Sequence, residues 1–428
     1  MGDIIEKNDT PEPSEASQVA AFGDEQTTKA AAAVEVPAFM PRRTIGQMLR
    51  AELGFVPVLL TLLVIVIYFQ IVTGGLFLSP VNLSNLMGQI AYVGIIGLGV
   101  IMVLLLGEID LSIASVAVLC SVIMAVLSER HGVPGWLAIL VGLLAGVVIG
   151  FINGFFVAII RVPSFIVTLA ASIGYAGLLL SLLAGQATLI IYNAFILGIA
   201  GTAQSFLDNN VAIILSAIVV LLFAAGLVFN YVRRKRAGLR TSSLLWLIGQ
   251  IVIVAVLVGG AIVVFISYKG VPYPVALFFG LIALFWLIMT KTSFGRHVYA
   301  VGGNSEAARR AGINVVGIRI ACFTLCSTLA AAGGIVLASR GTAVASQIDP
   351  TLLLNAIAAA VIGGVSLFGG RGSVWAIVPG VLIIGSLVNG LALLNQGTDV
   401  SEMVEGVVLL IAVTVDALVR RAQMRTGR

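Results

Sequence analysis

Residues Lys291–Val315 read KTSFGRHVYAVGGNSEAARRAGINV, the longest polar stretch between apolar runs in the C-terminal half of the chain. It holds Lys291, Arg296, Arg309 and Arg310 against one acid, Glu306, and the apolar runs 276–289 and 316–338 flank it. A basic connector between two membrane spans belongs on the cytoplasmic side. Its residues predict a short helix. Asn304 is a good N-cap, Ser305–Ala311 are helix formers, and Gly312 stands where a C′ glycine belongs. Glu306 and Arg310 are spaced i,i+4 in the favourable order. Ala307 and Ala311 leave one face almost bare, a shape that can enter a groove on another protein. A plain helical tether between two spans would carry the same caps and ion pair, so the residues alone leave both readings open.

Working outward, the 428 residues are 60% hydrophobic and 10% charged, whereas soluble domains carry about 25% charged residues. Apolar runs near the roughly 20 residues a span requires recur along the chain, without the short alternation of a membrane β-barrel. The expected fold class is therefore all-α, a polytopic membrane protein of about 12 transmembrane helices with both termini cytoplasmic. The runs are 55–73, 86–106, 113–127, 136–160, 164–184, 211–229, 244–266, 273–289, 316–338, 351–367, 374–394 and 403–419. With that threading, all of the 24 Lys and Arg except Arg130, Lys269 and Arg340 fall on the inner side, which fixes the orientation. The net charge of +5 then reflects topology and not nucleic-acid binding. The 48 glycines suit helices that pack closely through small residues. Residues 1–50 form a cytoplasmic tail, expected to be disordered to about 41, where eight acids face Lys7 and Lys29. Residues 51–420 form the transmembrane domain, with 291–315 as its cytoplasmic loop, and 421–428 are a basic cytoplasmic tail.

Few residues could carry chemistry. Glu108 and Asp110, in GEIDLS at 107–112, interrupt an apolar region with no basic neighbour in sequence. Acids at membrane depth point to function, but at the inner surface Asp110 would simply cap the next span. Asn153 in FINGF needs a hydrogen-bond partner, supplied either by another helix, the commoner use, or by a solute in a path. Asn355 and Asn389 are further neutral amides on late spans. GEIDLS and GGRGS (369–373) are short polar breaks, one in each half, a layout that points to a transporter with a repeated core. Cys120, Cys322 and Cys326 lie in apolar runs without metal or redox spacing. There is no phosphate-loop motif, no HExxH and no nucleophile–base pair, and His131 and His297 lack ligand spacing. A non-enzyme without cofactor or metal is expected. A proton-coupled secondary transporter with Glu108 and Asp110 as relay is the alternative. It is weakened because such relays place ionisable groups inside spans, and most spans here have none.

The string Ala300–Ile313, AVGGNSEAARRAGI, resembles the coupling motif of the bacterial sugar ABC importer permeases that serve ribose, xylose, arabinose and galactose. GEIDLS is similar to the Gly-Ile-Asp-Leu-Ser signature of that family, with Glu108 as a departure, and FINGF and PSFIVTL (163–169) also match its strings. The resemblance covers nearly all of 55–419. It implies a multi-pass protein of the bacterial inner membrane, surrounded by lipid and paired as a permease homodimer. It implies that Gly302, Gly303, Asn304, Glu306, Ala307, Ala308, Arg310 and Gly312 couple to a cytosolic ABC ATPase subunit, which is the part that uses ATP. It implies a periplasmic sugar-binding protein on the outer loops 185–210 and 339–350. Asp110, Asn153, Asn355 and Asn389 are then candidates for the translocation path, since neutral groups suit a sugar. Residues 230–266 look like an inserted span relative to ten-span relatives, similar to the xylose branch, which implies D-xylose or a related pentose as cargo.

Overall fold

The computed structural model describes residues 56–202, 205–239, 241 and 243–425. The acidic N-terminal tail, its basic juxtamembrane end, Arg240 and the end of the basic C-terminal tail lie outside the described residues. Each of the apolar runs forms a helix. In order these are α1 (Val56–Val72), α2 (Pro80–Leu104), α3 (Ile113–Glu129), α4 (Gly135–Phe155, continued by a π-turn, Phe156–Ile160) and α5 (Ser164–Leu183). After a short α6 (Ala194–Ala200) come α7 (Asn209–Arg236), α8 (Leu244–Ile266) and α9 (Tyr273–Lys291). The polar connector holds α10 (Ser293–Gly303) and α11 (Ser305–Arg310). The chain ends with α12 (Val315–Gly341), α13 (Pro350–Ile362), α14 (Ile377–Leu393) and α15 (Thr398–Arg425).

Among the described residues, 8 helices are long and apolar enough to cross a membrane, and 58–72, α3 and α13 are shorter apolar helices. The protein is thus a helical, polytopic membrane protein. The expectation of an all-α chain needs one correction. Thr188–Ile190 and Ala343–Ala345 form an antiparallel two-stranded ribbon, β1–β2, with Leu189 opposite Val344. Each strand follows a helix that ends in a left-handed residue, Ala184 or Thr342. The extended segments satisfy their backbone groups on each other, as a chain leaving an apolar layer must.

α2 and α12 are the axis of the molecule. The apolar window of α2 is 78% buried and that of α12 61%, against 6% for α7 and α8, which pair with each other at the periphery. α12 is gripped by α4 through glycines four apart. A Cβ at Gly146 would lie 2.9 Å from the Ser327 carbonyl, one at Gly150 2.6 Å from the Phe323 carbonyl, and one at Gly154 2.9 Å from the Ile320 Cα. With no side chain on that stripe the two backbones touch, the packing that holds helices together where apolar burial gives no drive.

The connectors sort to two ends, and their mutual contacts stay within an end. At one end Arg130 donates to the Leu182 and Leu183 carbonyls, capping α5, and Ser339 Oγ donates to the Ile196 carbonyl of α6. At the other, the GEIDLS break, the turn after α4, the α10–α11 connector and the FGGRGS turn meet one another. These are the groupings that the charge distribution assigns to outside and inside.

Candidate functional site

The connector is built as the residues predict, with one addition. Asn304 adopts an extended backbone, φ −161°, and its Oδ1 accepts from the Glu306 and Ala307 amides at 3.1 and 2.9 Å. α11 closes on Gly312 at φ +82°. The Ile313 amide returns to the Ala308 carbonyl and the Gly312 amide to the Arg309 carbonyl, the paired bonds of a Schellman ending. Glu306 lies 3.4 Å from Arg310 and 3.7 Å from Arg309. Ala307 and Ala311 are exposed, so the bare face points away from the body of the protein. Ala308 is buried and seats the helix on the body of the protein.

The addition is α10. Its N-cap is Thr292, and Val298 and Val301 are its buried stripe. Gly302, at its end, is not on the outward face. A Cβ there would run into the Leu105 carbonyl and sit 2.8 Å from the Gly370 nitrogen. Gly370 in turn packs on the Gly303 Cα, and its amide donates to the Leu105 carbonyl at 2.9 Å. Gly107 meets the Phe368 carbonyl. The two polar breaks of the chain therefore touch each other, and the end of α10 touches the second break and Leu105, two residues before the first. Tyr299 fastens the assembly by donating to the Gly372 carbonyl at 3.0 Å. Burial raises the pKa of this phenol, so it stays a donor.

Just above this junction, Asp110, Asn153 and four hydroxyls that sequence reasoning missed form one network. Asp110 Oδ1 accepts from the amide and hydroxyl of Ser112 at 2.8 and 2.6 Å. Asn153 Nδ2 donates to Ser112 Oγ at 3.1 Å, and Tyr175 donates to Asn153 Oδ1 at 2.8 Å. Thr168 and Ser164 of α5 accept from the Leu111 and Ile109 amides, satisfying a backbone that has left helical geometry. Asp110 is 3% exposed and Asn153 1%. Asn153 links α4 to Ser112 and to α5, while Asp110 Oδ1 binds only within its own break and Oδ2 is buried without a hydrogen-bond partner. Asp110 caps the turn into α3 through Ser112. Glu108 differs. It pairs with Arg319 of α12 at 3.2 Å, a basic neighbour that its place in the sequence does not reveal.

Of the amides on late spans, Asn389 is also spent. It accepts from Asn82 at 2.8 Å and donates to Gln89 at 3.4 Å, tying α14 to α2. Asn355 lines open space and also hydrogen-bonds the Glu405 side chain of α15. It belongs to a cavity of about 230 Å³ between α2, α3, α12 and α13, where Tyr92, Ser121, Gln347, Asp349 and Thr351 supply further polar groups. The cavity lies beneath β2, at the end of the molecule opposite the connector.

The family model described as branched-chain amino acid transport system / permease component matches residues 82–413. A xylose transport system permease protein of Haemophilus influenzae is 38% identical over 84% of this chain and 94% of its own length. A fructose import permease protein of Rhizobium meliloti is 31% identical over 89% and 90%. A ribose import permease protein of Bacillus subtilis is 32% identical over 83% and 91%. No solved structure matches.

Proposed function

The chain belongs to the branched-chain amino acid transport system / permease component family, a non-enzymatic, multi-pass inner-membrane subunit, and from that premise we propose that it is the pore subunit of an ATP-driven pentose importer. In this reading it crosses the membrane twelve times with both termini in the cytoplasm, and it works as a homodimer. A cytosolic ABC ATPase seats on the bare face of α11, and a periplasmic sugar-binding protein loads the outer end over the β1–β2 ribbon and α6. The α7–α8 hairpin, which hardly touches the core, is an addition to a ten-span plan. The xylose, fructose and ribose permeases among its relatives support a monosaccharide cargo, with D-xylose favoured.

One observation carries the coupling. Gly302 binds the end of α10 to Leu105 and Gly370 at once, so a push on α11 reaches both breaks as one rigid step. Gly302 and Ala308 thereby relay motion, while Ala307, Arg310 and the exposed Gly303 and Gly312 meet the partner. The outer cavity with Asn355 is the part of the path open to the outside, and the breaks beneath it form the inner closure. A proton relay through Glu108 and Asp110 is the poorer fit, because Glu108 is held in an ion pair by Arg319 and Asp110 is turned to Ser112. The test is capture of the ATPase by Ala307→Trp, which fills the bare face without touching the core. The variant reaches the membrane at the parental level and no longer retains the ATPase on purification. Retention together with parental sugar uptake would defeat the reading.

A further inference from the structure

A second cavity, of about 220 Å³, opens at the inner end where the turn after α4 meets α11 and α12. Arg161, Arg309 and Arg319 line it against a single acid, Glu108. Glu108 is engaged by Arg319 at 3.2 Å. The Arg319 Nε is nonetheless buried without an acceptor, and the Arg161 guanidinium, unlike its backbone N–H, has no ion pair or hydrogen bond among the described residues. Two guanidiniums thus hold unused donors around one space. Arg161 is also kept in the left-handed region, φ 65°, a conformation that disfavours a side chain and that glycine would take freely. A side chain retained where the backbone opposes it is a pointer to use.

The remaining walls are apolar, among them Val157, Pro163 and Val316. Beside them in the chain Ile159, Ile160, Phe165 and Ile166 are about half exposed, facing the bilayer at the ends of α4 and α5. A cationic pocket continuous with a lipid-facing apolar belt suits an amphiphile with an anionic head. Guanidiniums pair with phosphate through parallel, charge-assisted bonds, and basic pockets between helices on the cytoplasmic side accept such head groups. An acid on the ATPase suits the place less well. Residues two apart on a helix lie about 200° apart, so Arg309 points away from the Ala307–Ala311 face.

We propose that this cavity holds the phosphate of an anionic phospholipid of the inner leaflet, with Arg161 as its principal ligand and Arg309 and Arg319 beside it. A lipid bound there joins α11, the α4–α5 turn and α12, so the bilayer itself steadies the connector. The proposal rests on the inner-side placement of this loop, but its deciding readout, lipid retention, needs neither sugar nor ATPase and so fails separately from the transport reading.

The experiment is native mass spectrometry of the full-length permease titrated with phosphatidylglycerol or phosphatidylcholine. It compares the parent with Arg161→Gln and Arg161→Gly, the latter also relieving the backbone so that loss of fold is not the cause of a defect. The expected result is phosphatidylglycerol held about tenfold more strongly by the parent than by either variant, the scale of one lost charge-assisted bond, with phosphatidylcholine held alike by all three. Equal retention of phosphatidylglycerol by the three proteins overturns the site. Full displacement of the lipid by equimolar inorganic phosphate or glycerol 3-phosphate assigns the pocket to a soluble anion and overturns the lipid. Unchanged lipid binding with lost ATPase capture in Arg161→Gly assigns it to a protein carboxylate and overturns the lipid as well.

Discussion

At the scale of single residues, the four polar candidates for the path separate by what they touch. Asn153 uses its oxygen for Tyr175 and its nitrogen for Ser112. Asn153→Leu would orphan both, and each unsatisfied buried group costs about 1–3 kcal/mol. Asn355 borders a cavity and has one side-chain partner, the half-buried Glu405, so its loss orphans less. Asn153→Leu is therefore expected to lower the midpoint of thermal unfolding and the amount of permease in the membrane. Asn355→Leu should leave both in place and slow sugar uptake. A thermal-shift assay and radiolabelled uptake on the same preparations decide this, and the assignment fails if the two variants exchange phenotypes. The same logic applies to the connector. Asn304→Ala removes two hydrogen bonds at the start of α11, a loss of about 0.5–2 kcal/mol for the helix. Uptake should fall with the unfolding midpoint unmoved, and Asn304→Asp, which can accept the same bonds, should restore most of it. No recovery in Asn304→Asp would remove the cap from the account.

At the scale of elements, the clearest test concerns the seam between α4 and α12. A methyl group at Gly150 must push 2.6 Å contacts with the Phe323 carbonyl and Thr324 Cα apart, whereas Gly177 of α5 has nothing within 4 Å. Overpacking of this kind costs about 1–3 kcal/mol. Gly150→Ala should lose stability and yield, and Gly177→Ala should match the parent, as judged by fluorescence-detected size exclusion after heating. Equal behaviour of the two would mean that the seam is looser than its contacts imply. The seam also shows what the sequence makes legible. Gly142, Gly146, Gly150 and Gly154 repeat at one helical period, a signal open to inspection that the number of glycines alone conceals. The α11 helix is fully readable, because caps and C′ glycine act over four residues. α10 goes unforeseen, though Thr292 and the spacing of Phe294, Val298 and Val301 announce it. What no local pattern carries is the partner across the fold. Arg319 beside Glu108, Tyr175 on Asn153 and Gly370 against Gly302 are set by how distant helices pack. For that reason Asn153 could be either glue or path, and Gly302 could be mistaken for a surface residue.

At the scale of the whole molecule, the remaining question is which end faces the cytoplasm, and the protein supplies its own means of asking. Its three cysteines, Cys120, Cys322 and Cys326, are free and fully buried, so a membrane-impermeant maleimide has nothing to react with in the folded parent. A single cysteine can then be introduced without first removing the others, and without opening cavities around α3 and α12. Ala311 on the connector is exposed, and Tyr192 beside the β1–β2 ribbon is 74% exposed. Both substitutions sit outside the packed spans. The distribution of Lys and Arg places the connector inside, and the contacts within each end tie every other loop to that choice. Tyr192→Cys should label from outside in intact cells, and Ala311→Cys only in inverted vesicles or after the membrane is opened. Because the two ends are joined by continuous helices, no rearrangement short of refolding lets one residue change sides alone. Labelling of Ala311→Cys in intact cells would put the connector in the periplasm, beyond the reach of any cytosolic ATPase. The coupling role of α10 and α11 would fall with it.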